Sequence, residues 1–137
     1  MTYLLDTNIL SELRKGPRGN PGVRTWFASV EDDHLFLSVL VIGELRQGIE
    51  GKRRTDPTTA NHLERWLRVV VEHYEGRILP VDQQIADLWG RLNVPDRLPP
   101  IDGLLAATAL AHDLTVVTRN TRDLESTGVP TFDPFRK

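Results

Sequence analysis

Four acidic side chains stand where an apolar segment meets a polar one: Asp6, Glu44, Asp102 and Asp123. Asp6 ends the apolar run in YLLDTN, and Asp123 follows the apolar run in TVVTRNTRDL. Glu44 lies within an apolar segment with helical spacing, and Asp102 opens another after a Pro-rich loop. Because ligands of open α/β sheets bind outside the carboxyl ends of the strands, these acids are predicted to share one edge of a sheet.

Three of the four acids also have an ordinary structural explanation. Asp6 and Asp102 precede helix-forming segments, where Asp is a favoured N-cap residue. Glu44 could lie on a solvated stripe of its helix. Convergence of the four acids favours another role, since two carboxylates about 4 Å apart repel by roughly 4 kcal/mol at an effective dielectric constant near 20. Such a cluster needs protons or cations close by.

The types of donor indicate which cation would neutralise the cluster. The chain has no Cys, and its 4 His residues show no HExxH-type spacing. Ligands that are all oxygen favour Mg²⁺ or Mn²⁺ over zinc, and these hard ions keep several bound waters. Because a retained water can attack a phosphate, the pattern predicts a metal-dependent site that hydrolyses phosphodiester bonds.

The elements that must position these acids alternate along the chain. Apolar runs predict strands at residues 3–5, 34–37, 77–81, 115–118 and 129–132. Helical spacing and capping signals predict helices at residues 8–14, 21–30, 39–50, 57–75, 83–92 and 102–112. Strands that alternate with helices, without tight hairpin signals, indicate an α/β fold with a mostly parallel sheet covered on both faces.

Composition limits the class of protein. A chain of 137 residues with 39% apolar and 26% charged residues predicts one domain over residues 1–137. Its apolar runs fall short of the roughly 20 residues of a membrane-spanning helix, so no membrane contact is expected. The absence of Cys and of a signal-like N-terminus predicts a cytoplasmic protein. With a net charge of −2, contacts to a polyanion must come from local Arg and Lys clusters.

Four segments occur in a familiar order: LLDTNILSELR, VIGELRQG, IDGLLAATALAHDLTVVTRNTRDL and GVPTFDP. In sequence and spacing they resemble PIN-domain proteins, and among these the ribonuclease toxins of the VapC and FitB type. The resemblance implies a three-layer α/β/α sandwich, a homodimer, and Mg²⁺- or Mn²⁺-dependent RNA cleavage that leaves a 5′-phosphate and a 3′-hydroxyl. It also implies a cognate antitoxin whose C-terminal segment crosses the toxin and blocks the acidic site.

The resemblance assigns roles to the acids. Asp6, Glu44 and Asp102 match the three main catalytic, metal-binding acids of the family. Related toxins carry a fourth acid at the position of either Asn120 or Asp123, and only Asp123 is charged here. Asn120 can still hydrogen-bond a metal-bound water or donate its carbonyl oxygen to the metal, so the number of metal ions stays open.

Further polar residues surround these acids in the sequence. Asn8 and Thr118 match family positions that support the site through hydrogen bonds. Arg46, Arg119 and Arg122 are close in sequence to the acids and are predicted to bind RNA phosphates. The alternative for all three arginines is pairing with the surplus carboxylates.

Two basic clusters and three tryptophans complete the candidates. Residues 14–18 and 52–54 could bind RNA phosphates, but stabilisation of the preceding helix C-termini is the favoured explanation. Trp26, Trp66 and Trp89 lie on apolar helix faces, which predicts packing in the core or in a dimer rather than stacking on bases.

A second class of function stays open, namely a non-catalytic PIN-like module that binds RNA or a protein. The presence of all four acids favours the enzyme, and metal-dependent cleavage distinguishes the two classes. A phosphatase of the haloacid dehalogenase kind is excluded, because it needs a second Asp at the position of Asn8.

Overall fold

A five-stranded parallel sheet forms the centre of the computed structural model, which describes residues 1–136. The strands are β1 (Tyr3–Leu5), β2 (Leu35–Ser38), β3 (Ile78–Leu79), β4 (Thr115–Val117) and β5 (Thr131–Phe132). The helices are α1 (Thr7–Arg14), α2 (Pro21–Ser29), α3 (Val39–Arg53), α4 (Pro57–His73), α5 (Gln83–Leu92) and α6 (Pro100–His112). None of the helices in residues 1–136 is long and apolar enough to cross a membrane.

The central strands are buried on both faces of the sheet. Leu4 and Leu5 of β1 and Val116 and Val117 of β4 are all 0% exposed. Such continuous apolar runs are typical of parallel strands that helices cover from both sides. The predicted three-layer α/β/α sandwich with a mostly parallel sheet is confirmed.

The order of the strands is β3-β2-β1-β4-β5. The chain therefore builds the sheet outward from β1 through β2 and β3, and then returns to the other side of β1 to add β4 and β5. The order reverses between β1 and β4, and ligands of such folds bind in the crevice at this switch point. Asp6 and Thr118 are the first residues beyond these two strands.

Most helices begin at the side chains that the sequence indicates. Ser38 Oγ accepts a hydrogen bond from the Leu40 amide at 3.0 Å at the start of α3. Asp82 Oδ1 accepts one from the Ile85 amide at 2.9 Å at the start of α5. These side chains satisfy amide groups that have no partner within the helix.

The edges of the sheet differ from the sequence-based expectation. Strand β3 has two residues instead of residues 77–81, and β5 has two instead of residues 129–132. Both are edge strands, which form a hydrogen-bonded ladder on one side only and are commonly short. Strand β2 begins one residue later than expected because residues 32–34 form a 3₁₀ turn.

Candidate active site

Asp6 lies directly after β1, at the switch point of the sheet, and is 7% exposed. Its backbone amide extends the sheet by donating to the Val117 carbonyl at 3.0 Å. Its Oδ1 accepts a hydrogen bond from the Thr7 amide at 2.7 Å, so Asp6 also caps α1. Asp6 therefore caps α1 and also lies at the sheet edge where the sequence predicts the site.

Thr118 fixes the other carboxylate oxygen of Asp6. Its hydroxyl donates to Asp6 Oδ2 at 2.7 Å and accepts from the Asn120 amide at 3.0 Å and from Asn8 Nδ2 at 3.3 Å. Asn8 Nδ2 also lies 3.4 Å from Asp6 Oδ2, and its Oδ1 accepts from the Arg119 amide at 3.2 Å. The loop after β4 is thus tied to the loop after β1.

Glu44 approaches the same point from α3. The hydroxyl of Thr7, the first residue of α1, donates to Glu44 Oε1 at 2.5 Å. The next residue, Leu45, is 7% exposed and packs in the core. Glu44 is therefore half-buried at the edge of an apolar helix face, and its carboxylate is oriented by a side chain adjacent to Asp6.

Asp102 lies in the first turn of α6 and does not cap it. The helix begins at Pro100, its N-cap residue is Pro99, and no side chain caps it. Proline is favoured at the first helical position, which places Asp102 inside the turn rather than before it. The N-cap explanation of Asp102 is wrong, and its carboxylate is free for another role.

The next residue of α6 explains how Asp102 is positioned. A Cβ added to Gly103 would lie 3.0 Å from Cδ1 and Nε1 of Trp89, so the missing side chain lets α5 pack closely on α6. Trp89 Nε1 is buried there without a hydrogen-bond partner in residues 1–136. This contact holds the start of α6 against α5.

Burial and the charges of the neighbouring acids both act on Asp102. Burial is the largest cause that raises the pKa of Asp102, to about 6, and the charges of Asp6, Asp123 and Glu44 raise it further. Asp123 is exposed on the 3₁₀ turn of residues 121–127, so it acts on Asp102 from the rim of the site. The raised pKa marks a surplus of negative charge that a cation would relieve.

The acids line a cavity of about 390 Å³, here called the acidic cleft. Asp6, Asn8, Glu44, Asp102, Arg119 and Asn120 all line it. Within the described part of the chain, the predicted residues Asp123 and Arg122 do not line the acidic cleft, although both closely follow Asn120, which does.

Four more residues line the acidic cleft, namely Thr7, Ser11, Glu12 and Phe135. Thr7 and Ser11 are four residues apart on α1, and this helical spacing could have identified Ser11. Glu12 accepts from Lys15 Nζ and from the Asn20 amide, both at 2.8 Å. The hydrogen bond from Lys15 is the main cause that lowers the pKa of Glu12. Because Glu12 also accepts from the Asn20 amide at the start of α2, this acid joins α1 to α2.

Arg119 lines the acidic cleft, whereas Arg46 does not. The Arg119 guanidinium carbon lies in the acidic cleft, 4.0 Å from the ring centroid of Phe135. Arg46 instead pairs with Glu50 at 3.1 Å and with Glu64 at 2.8 Å. Its expected position beside the acids is contradicted, because residues two apart on a helix differ in direction by about 200°. Arg46 does pair with carboxylates, but Glu50 and Glu64 are not the surplus carboxylates of the cluster that the alternative named.

The ligand set of the acidic cleft fits a hard divalent cation. Its carboxylate and amide groups offer oxygen ligands, and burial together with the charges of the neighbouring acids raises the pKa of Asp102. Among residues 1–136, the one trio whose ligand atoms all lie within 4.8 Å is Glu31, Asp33 and His34, which is outside the cleft. Since the cleft acids lie farther apart, a bound ion would keep waters between them, as Mg²⁺ commonly does.

Known proteins resemble this chain along nearly its whole length. The VapC ribonuclease Y4jK of Sinorhizobium fredii is 35% identical over 141 aligned positions, which cover 96% of each chain. The structure of FitAcB from Neisseria gonorrhoeae superposes with a TM-score of 0.90 at 31% identity and covers 99% of this chain and 100% of that one. A toxin-antitoxin complex from Klebsiella pneumoniae gives a TM-score of 0.73 at 26% identity, over 97% of this chain and 98% of that one.

The family model of the PIN domain matches residues 3–129. This range contains all four predicted acids and every strand except the edge strand β5. Fold, acidic cleft and sequence similarity thus agree, and the chain belongs to the PIN-domain family.

Proposed function

We propose that this protein is a divalent-metal-dependent endoribonuclease, the toxin of a toxin-antitoxin pair, and that Asp6, Glu44, Asp102 and Asp123 form its catalytic metal site. The observation that carries the proposal is the meeting of Asp6, Glu44 and Asp102 in one cleft at the switch point of the sheet. These acids come from three separate elements, and no structural need of the fold explains why three carboxylates should meet there.

Asp6 is suited to be the principal metal ligand. Thr7 and Thr118 hold its two carboxylate oxygens at 2.7 Å each, which fixes its orientation before any ion binds. Such supporting hydrogen bonds commonly change metal affinity by about 10- to 100-fold. Glu44 and Asp102 would complete the ligand set, with Asp123 and Asn120 contributing from the rim.

A Mg²⁺ or Mn²⁺ ion bound here would polarise the scissile phosphate and lower the pKa of a bound water. A carboxylate of the acidic cleft would orient a water for in-line attack on phosphorus and accept its proton. The new P–O bond would form to the water oxygen while the bond to the 3′ oxygen breaks, and the 3′ oxygen would take a proton from solvent, which gives a 5′-phosphate and a 3′-hydroxyl. Arg119, positioned over Phe135, binds the negatively charged phosphate.

The expected partners follow from the family. Y4jK is a VapC ribonuclease, and the Klebsiella pneumoniae structure is a toxin-antitoxin complex. We infer a cognate antitoxin that covers the acidic cleft, a homodimer, and action in the cytoplasm, where cellular RNA is exposed to the enzyme.

The decisive experiment maps cleavage of total host RNA by the purified, antitoxin-free protein. We expect discrete new 5′-phosphate ends with Mg²⁺ or Mn²⁺ and none with EDTA. The Asp102→Asn variant should lose at least about 100-fold in rate while keeping its circular dichroism spectrum. A fully active Asp102→Asn enzyme would refute the proposed site.

A binding measurement tests the metal separately from cleavage. Mn²⁺ should raise the Tm of the wild-type protein in a concentration-dependent way, because it binds the folded state only. Asp102→Asn should reduce that shift. The matched control, Asp33→Asn, changes the exposed trio instead and should keep the full shift.

The non-catalytic module predicts a different result. It would bind RNA or a partner protein, and neither EDTA nor Asp102→Asn would alter the RNA profile. The retained acids and their repulsion at Asp102 favour the enzyme.

A further inference from the structure

A second cavity opens from the acidic cleft and runs between α1, α3 and α4. Its volume is about 510 Å³, within the range of about 300 to 1,000 Å³ that is usual for pockets that hold small ligands. Thr7, Ser11 and Glu44 line both cavities, so the two are continuous. A polymer bound at the acids can therefore extend into this second cavity.

Two cations stand along this cavity, Arg14 at the end of α1 and Lys52 near the end of α3. Within residues 1–136, neither forms an ion pair within 4.0 Å. Their sequence neighbours do form such pairs, since Lys15 binds Glu12 at 2.8 Å and Arg53 binds Glu64 at 2.6 Å. The lining of this cavity thus carries two cations outside any ion pair of the described residues, with the carboxylate of Glu44 at the end that it shares with the acidic cleft.

The floor of the cavity is apolar and includes an aromatic ring. Leu45, Ile49 and Leu63 line it together with Trp66, which is half-buried. The Arg14 guanidinium carbon lies 6.0 Å from the centroid of the Trp66 ring. An aromatic face beside cations is the arrangement that binds single-stranded nucleic acid, with bases on the ring and phosphates on the cations. Trp66 packs partly against the core, as its apolar helix face predicts, and its remaining surface lines the cavity.

We propose that this cavity, the basic groove, binds the RNA nucleotides that adjoin the scissile phosphate. Arg14 and Lys52 contact backbone phosphates, and Trp66 and the apolar floor receive a base. The inference rests on the proposed ribonuclease function and adds to it a substrate subsite outside the acidic cleft.

The arrangement of charge favours RNA as the occupant. The acidic cleft needs a cation before it can accept a phosphate, whereas the basic groove, among the described residues, carries two cations against the single carboxylate of Glu44. If the scissile phosphate of an RNA strand binds at the acidic cleft, the next phosphates of that RNA reach the basic groove, where Arg14 and Lys52 lie. The groove thereby supplies affinity that the acids by themselves oppose.

Binding is measured by fluorescence anisotropy with a labelled pool of short single-stranded RNAs of random sequence. The parent protein carries Asp102→Asn so that the probe is not cut, and Mn²⁺ is present. Arg14→Ala/Lys52→Ala on this parent should weaken binding by about tenfold or more. Two lost phosphate contacts should also reduce the slope of log affinity against log salt by about 1.4.

The matched control is Arg18→Ala/Arg54→Ala. It removes the same charge at neighbouring sequence positions, but neither residue lines the basic groove. We expect its affinity and salt slope to stay within about twofold of the parent. Equal losses in the two double variants, or no loss in either, would overturn the subsite.

A third variant separates stacking from charge. Trp66→Leu keeps apolar volume and should lower affinity by about five- to tenfold or more without changing the salt slope, because stacking carries no ionic term. Thermal melts of every variant confirm that it is folded. No loss of affinity in a folded Trp66→Leu variant contradicts the base contact.

Two further readouts distinguish other outcomes. If Arg14→Ala/Lys52→Ala releases the cognate antitoxin but leaves RNA binding unchanged, the groove is a protein-binding surface and the proposal is wrong. In the active enzyme the double variant should raise KM with little change in kcat. If the active enzyme cleaves RNA equally well with and without Arg14→Ala/Lys52→Ala, this inference alone is wrong. If the wild-type protein binds RNA through the groove but does not cleave it, the proposed nuclease function is wrong.

Discussion

Thr118 shows how fully the candidate site uses a single side chain. The hydroxyl is 0% exposed, donates its one proton to Asp6, and accepts from Asn8 and from the Asn120 amide. A hydroxyl has one donor and two acceptor positions, so all three are occupied. No other common side chain of this size offers that combination, since Val has no polar atom and Ser lacks the buried methyl group.

Burial of Asp102 and repulsion from the neighbouring acids should have a measurable effect on stability. In metal-free protein the pKa rises from 3.8 unfolded to about 6 folded, so the folded state holds this proton more tightly. The free energy of unfolding therefore falls as pH rises through this interval and stays lower above it. At neutral pH, Asp102→Asn should stabilise the chain by on the order of 1 kcal/mol, allowing for the solvent around this half-buried group.

Thermal melts in EDTA across pH test this expectation. The variant should melt about 3 °C above wild type at neutral pH, and the difference should vanish below pH 3.8, where Asp102 is protonated in both states. The exposed-loop variant Asp96→Asn serves as the control and should match wild type at each pH. A variant less stable than wild type at neutral pH contradicts the raised pKa.

Among the elements, α6 depends most on one close contact. Asp102 is useful only if the start of α6 reaches the ends of β1 and β4, and the packing of Gly103 against Trp89 sets that position. Leu98 adds to the restraint, because a Cβ on Gly103 would lie 3.3 Å from Leu98 Cβ. The helix has no side-chain cap to fix its start, so packing performs that task.

Gly103→Ala should therefore harm both stability and activity. The added methyl group meets Trp89 at 3.0 Å, and we expect a loss of about 1 to 3 kcal/mol in the free energy of unfolding, together with a lower kcat as Asp102 is displaced. Gly90→Ala on α5 is the matched control, since nothing lies within 4 Å of its new Cβ. It should be neutral or stabilising by up to about 1 kcal/mol. Denaturant titration and cleavage assays measure both, and equal effects would contradict the packing argument.

At the scale of the whole molecule, the outer surface of α3 and α4 exposes apolar side chains away from the acidic cleft. Val39 is 41% exposed and Val71 is 38% exposed, and both line a cavity with Ile42 and Leu67. Exposed apolar patches with a charged rim commonly mark interfaces between proteins. The expected homodimer gives this surface an occupant, a second copy of the chain.

Val71→Lys tests that arrangement. Light scattering after gel filtration should give about twice the chain mass of 15.5 kDa for the wild-type protein and about the single mass for the variant. A Lys in the last turn of α4 interacts favourably with the helix dipole, so the variant should still fold. Val94→Lys, at a valine that is 74% exposed, should remain dimeric. A monomeric wild type would make the homodimer prediction wrong, and a dimeric Val71→Lys would place the interface elsewhere.

The sequence by itself indicated the five strands and the four acids that are expected to form the site. Apolar runs located all five strands, and the position of Asp6 after β1 followed from the rule that parallel strands present their ligands at their carboxyl ends. Local signals suffice for these features because strand burial and helix capping depend on neighbours within a few residues. The resemblance to the PIN family then assigned Asn8 and Thr118, which the structure places in hydrogen bonds with Asp6.

Only the tertiary structure decided which cations face the site. Arg46 is next but one to Glu44 yet pairs with Glu50 on its own helix and with Glu64 on α4, whereas Arg14 lies along the basic groove. Helical periodicity predicts the i,i+4 pair of Arg46 with Glu50, but the second partner, Glu64, belongs to another helix. Which cations stay unpaired therefore also depends on how separate helices pack together, and no local pattern encodes that packing.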